Sequence, residues 1–69
     1  MNEEVLTQQI RRFLKKVGIT SQREIEKAVR DALQRNAVDA AARLPAAMML
    51  EIPDLGLALR IDGEIALDE

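Results

Sequence analysis

The apolar residues of this chain keep two different periods, and the change between them limits the fold more than any other feature. Up to about residue 33 they recur at three- and four-residue spacing, and from Met48 onward they alternate. The first spacing lines one side of a helix, and the second lines one face of a strand. The chain therefore reads as helical first and sheet after, an α+β domain in which a helical layer covers a sheet.

Within the helical part, Asn2 is an acceptable N-cap, and Glu3 and Glu4 lie where their charges favour the positive end of a helix. Leu6, Ile10, Phe13, Leu14 and Val17 form one stripe, with Lys15 and Lys16 near its far end. Gly18 is expected to end this helix in the left-handed conformation, with Ile19 folding back on Leu14. Ser21 and Glu24 have the spacing of a capping box, which opens a second helix with a stripe of Ile25, Ala28, Val29, Ala32 and Leu33 and a stop at Asn36. The spacing thus predicts helices over about 3–17 and 21–35. Residues 36–45 read as a linker, with an extra helical turn or two ahead of Pro45.

In the last third, Met48, Leu50 and Ile52 alternate with Met49 and Glu51, and Leu57, Leu59 and Ile61 alternate with Ala58 and Arg60. "PDLG" at residues 53–56 is a turn that pairs Ile52 with Leu57, Leu50 with Leu59 and Met48 with the region of Ile61. Asp62 and Gly63 invite a second turn. A three-residue loop with Gly63 left-handed would oppose Leu59 to Ile65, Leu57 to Leu67, and Arg60 to Glu64 as an ion pair. Strands are thus expected over about 46–52, 57–61 and 64–68. The whole is read as one domain over residues 1–69, with two helices packed on a three-stranded antiparallel meander (ααβββ).

Sixty-nine residues suffice for a single domain, and a chain of this size buries only about 60% of the surface its unfolded form exposes. A partner or second copy would add stability. There is no Cys and no His, which removes disulfides, thiol chemistry, imidazole ligands and the usual base of a catalytic triad. "MNEEVLTQQI" carries acid where a signal peptide carries positive charge. No apolar run approaches the roughly eighteen residues that span a bilayer. A cytoplasmic protein without membrane contact is the expectation. Charge is unevenly spread: residues 1–35 are net +3 and residues 36–69 net −5, within a total of −2.

No catalytic, cofactor or metal site is expected. Ser21 is accounted for as a cap, and Asp62, Glu64, Asp68 and Glu69 lack the ligand spacing of a calcium loop. Two surfaces remain. Arg23, Lys27 and Arg30 share one side of the second helix, with Arg12 and Lys16 in the basic cluster of the first. This side is a candidate face for a partner or a nucleic acid. The helix-turn-helix reading is disfavoured because Glu24 and Glu26 stand at the end that would approach bases. Met49, Ala58 and Ala66 form a candidate self-association face on the outer side of the sheet. A non-enzymatic interaction module, acting as a homodimer or by docking a protein partner, is favoured over a small nucleic-acid-binding regulator and, further behind, an enzyme with a carboxylate site.

"FLKKVGITSQREIEKAV", followed by "PDLGL" and "GEIAL", resembles a family of short uncharacterised bacterial proteins, domain of unknown function 6494, over nearly the whole chain. The resemblance implies a bacterial cytosolic protein and brings no catalytic residue, substrate or cofactor with it.

Overall fold

The computed structural model describes residues 1–68. In chain order it has helix α1 (Glu3–Gln34), strand β1 (Arg43–Ile52), a 3-10 turn at Pro53–Leu55 and strand β2 (Leu57–Ala66). They fall into two compact units, one ending at Ala37 and one starting at Val38.

The first unit is one helix of 32 residues, where two were expected. It starts as the sequence predicts: the Asn2 side-chain oxygen accepts from the backbone N–H of Glu4 at 3.0 Å and of Val5 at 3.2 Å. It also stops as predicted. Asn36 takes φ 55°; its N–H donates to Leu33 O at 3.1 Å, and the N–H of Ala37 donates to Ala32 O at 2.8 Å. These two bonds form a Schellman cap with Asn36 as the left-handed residue. Between the ends, neither the Gly18 stop nor the Ser21–Glu24 capping box forms, and both positions are helical. The reason is phase. An unbroken helix keeps Leu6, Ile10, Phe13, Val17, Ser21, Ile25, Ala28 and Ala32 within an arc of about 120°, so the stripe drifts but stays on one side. A turn at Gly18 would reset that alignment. One mid-helix glycine costs about 1 kcal/mol relative to alanine, a small penalty against a continuous stripe.

Residues 37–42 hold no further helix. Asp39 bends this segment: its carboxylate accepts from Ala41 N–H at 2.7 Å, and its carbonyl accepts from Ala42 N–H at 3.0 Å. Such side-chain-to-backbone bonding by Asp competes with helix and explains why an alanine-rich stretch does not extend α1.

The second unit is a two-stranded antiparallel hairpin, not a three-stranded meander. Its register pairs Ile52 with Leu57, Leu50 with Leu59 and Met48 with Ile61, as the turn at 53–56 predicts. Gly56 closes that turn with φ 64° and donates to Pro53 O at 3.0 Å. The second turn is absent. Gly63 lies inside β2 opposite Ala46, and β1 starts at Arg43, three residues before the expected strand, so that the ladder runs on to Arg43 and Ala66. Here too the phase is unbroken: Leu57, Leu59, Ile61, Gly63 and Ile65 alternate through the Asp62–Gly63 pair, and Leu44 and Ala46 extend the facing row. The straight register turns no apolar side chain to the wrong face, so the local turn signal yields.

Pro45 sits within β1 rather than ending a linker. Leu67 N–H donates to Ala42 O at 3.1 Å, which marks that pair as hydrogen-bonded. Alternation along an antiparallel ladder then makes Pro45 and Glu64 a non-hydrogen-bonded pair, where the missing N–H faces away from β2. Among the described residues none is buried.

Candidate interaction surfaces

A helix carries residues four and seven apart on one side, and α1 applies this spacing to its basic residues. Because the helix is continuous, Arg12, Lys16, Arg23, Lys27 and Arg30 form a single stripe, within an arc of about 60° and over about 27 Å of axis. Its opposite side carries Ile10, Val17, Ala28 and Ala32. The structure therefore brings together two basic clusters that the sequence placed on separate helices. It also removes the turn on which the helix-turn-helix reading depended. Asp31 pairs with Arg35 at 3.7 Å.

The hairpin separates its residues by face just as strictly. One face holds Leu44, Ala46, Met48, Leu50 and Ile52 from β1 against Ile65, Gly63, Ile61, Leu59 and Leu57 from β2, with no polar side chain among them. Met48 is 42% exposed, Leu59 48% and Ile61 51%, so this is a surface rather than a core. The other face carries the charges. Arg43 donates to Glu64 at 3.1 Å, and Arg60 donates to Asp62 at 2.9 Å. The expected Arg60–Glu64 pair is replaced by these two because the strand does not turn between them. All four side chains are more than half exposed, and such pairs contribute at most about 1 kcal/mol each.

Met49, Ala58 and Ala66 all lie on this charged face. Met49 stands diagonally from Ala58, whereas Ala66 pairs with Arg43 at the far end of the ladder. The three do not form one patch, since their expected grouping depended on the second turn. The apolar face was the surface that the expected helices were to cover, and in the hairpin it is open. Its signal was the alternation across Gly63.

Ser21 is half-buried on the helix rather than at its end. Asp62 and Glu64 are engaged in the ion pairs above, and Glu69 of the acidic tail lies outside the described residues. No group of three or more His, Cys, Asp or Glu suited to a metal is found among the described residues. One hollow runs along Glu3, Thr7 and Arg11 and another along Phe13, Val17 and Ser21; each is lined by a single helix and is open to solvent. Among the described residues no helix is long and apolar enough to cross a membrane.

The family model for a family of unknown function, DUF6494, matches residues 1–68. Neither the curated proteins nor the solved structures contain a match to the chain.

Proposed function

We propose that this chain, which belongs to the DUF6494 family, is a non-enzymatic interaction module that works by self-association, a second copy joining at its hairpin. The observation that carries this reading is the ten-residue ladder with one face wholly apolar and half exposed. At about 3.4 Å per residue and about 10 Å across two strands, the face measures roughly 340 Å². An isolated two-stranded hairpin is marginal in water, and further strands or a packed helix are what make it persist. A stable dimer buries about 800 Å² per partner, so the hairpin face alone falls short. α1 offers a partner a second apolar side, about 48 Å long.

Sedimentation equilibrium of the full chain over a wide concentration range tests this. A reversible monomer–dimer equilibrium is expected, with the dimer lost in Leu59→Asp, which places a charge in the middle of the face. A monomer at every concentration would refute the reading. The continuity of the basic stripe favours a second reading, an acidic partner lying along α1. Titration with polyglutamate and with duplex DNA at low salt tests it, with Lys27→Glu and Arg30→Glu expected to abolish binding and to leave self-association intact.

A further inference from the structure

The two edges of the hairpin are not equivalent, and the difference selects how a second copy would join. Alternation along the ladder turns the backbone groups of Arg43, Pro45, Ala47, Met49 and Glu51 outward from β1, and those of Ala58, Arg60, Asp62, Glu64 and Ala66 outward from β2. Pro45 lacks an N–H, so the β1 edge has a gap in its row of donors. The β2 edge has none.

We propose that β2 pairs antiparallel with β2 of a second copy about a two-fold axis at Ile61, making a four-stranded sheet in the order β1-β2-β2-β1. This rests on the self-association reading and specifies its geometry. Charge complementarity fixes the register. With the axis at Ile61, Arg60 faces the second copy's Asp62, and Asp62 faces its Arg60. The Arg60–Asp62 pair already formed along each strand at 2.9 Å then completes a square in which every neighbour has the opposite sign. An axis at Asp62 would set Asp62 against itself, one at Arg60 would set Arg60 against itself, and one at Gly63 would oppose Asp62 to Glu64. Like charges directly opposite on neighbouring strands are destabilising. An axis between two residues would bring apolar side chains to the charged face.

The Ile61 register also satisfies the backbone and the apolar face. Ala58, Arg60, Asp62 and Glu64, whose N–H and C=O groups point outward, come opposite residues of the same set, as a regular ladder requires. On the other face Ile61 meets Ile61, Leu57 meets Ile65, and Leu59 meets Gly63, where a Cβ would have no atom of its own chain within 4 Å. The apolar surface becomes one continuous face twice as wide.

The test uses charge swaps in the full chain. Arg60→Asp and Asp62→Arg should each lose the dimer at concentrations where the unmodified chain is dimeric. Mixing the two variants should restore a heterodimer, because each like-charge pair becomes an opposite pair only across the interface. Restoring the pair within a strand cannot produce this result. As a second measurement, Ile61→Cys introduces the only cysteine in the chain. It should form a disulfide-linked dimer on mild oxidation, since directly opposed residues on a non-hydrogen-bonded pair lie within disulfide reach. Leu59→Cys should not, because its copies would stand about 13 Å apart. If the unmodified chain dimerises but the mixture stays monomeric, or the Leu59→Cys variant links as readily as the Ile61→Cys variant, the edge pairing is overturned and self-association by another surface stands. If the unmodified chain never dimerises, both fall.

Discussion

Gly18→Ala separates a continuous helix from a helical pair by the sign of its effect. In the structure Gly18 is interior to α1, it is not among the residues with positive φ, and a Cβ built on it meets nothing within 4 Å. Alanine would therefore occupy open space on a backbone it prefers. The helix propensity difference is about 1 kcal/mol, and measured gains at compatible positions run from about 0.4 to 1 kcal/mol. A gain of about 0.7 kcal/mol corresponds to roughly a threefold shift toward the folded state. Were Gly18 the left-handed terminus of a shorter helix, alanine would instead cost about 1–2 kcal/mol. The two outcomes thus differ by about 2 kcal/mol, well outside the error of a urea titration. The assay is circular dichroism at the helical minimum at fixed protein concentration, since association would otherwise shift the midpoint. The expected result is a higher midpoint with unchanged slope. A lower midpoint would refute the continuous helix.

Gly56→Ala should act in the opposite direction and lower stability by about 1 kcal/mol, because Gly56 holds φ 64° at the hairpin turn; chemical denaturation reads it. Asn2→Ala removes the acceptor for Glu4 and Val5 N–H and should cost about 1 kcal/mol, seen as faster hydrogen exchange at those two amides. Pro45→Thr adds the donor missing from the β1 edge and should increase higher-order association, measured by light scattering, without altering the register of the hairpin.

The two ends of α1 and the 53–56 turn are legible in the sequence, whereas the start of β1 at Arg43 and the passage of both elements through glycine are not. Asn2, Asn36 and the 53–56 turn work as their side chains and backbone preferences dictate, and the register of the hairpin follows from that turn. Gly18 and Gly63 each stand where a turn is locally favourable, which is why the sequence alone predicts a break at both. The apolar alternation runs through Gly63 unchanged and the helical stripe passes Gly18 with only a gradual drift, and the sum over many side chains outweighs a local preference of about 1 kcal/mol. The basic residues were recognised individually, but their alignment into one stripe depends on the helix remaining whole through Gly18. The candidate patch of Met49, Ala58 and Ala66 failed to assemble for the corresponding reason at Gly63, since a strand that does not reverse carries Ala66 away from Ala58.

The register of the hairpin also sets the order in which it can close. Ile52 and Leu57 flank a loop of only four residues, and each further pair adds one residue from either strand, so contact order grows outward from Gly56 toward Arg43 and Ala66. Such zippering takes about 1–10 μs, and helix relaxation is faster still. Formation of either element is therefore a local and rapid event. Where two copies must meet before the hairpin is stabilised, the observable folding rate should rise with protein concentration rather than follow the intrinsic speed of helix or hairpin.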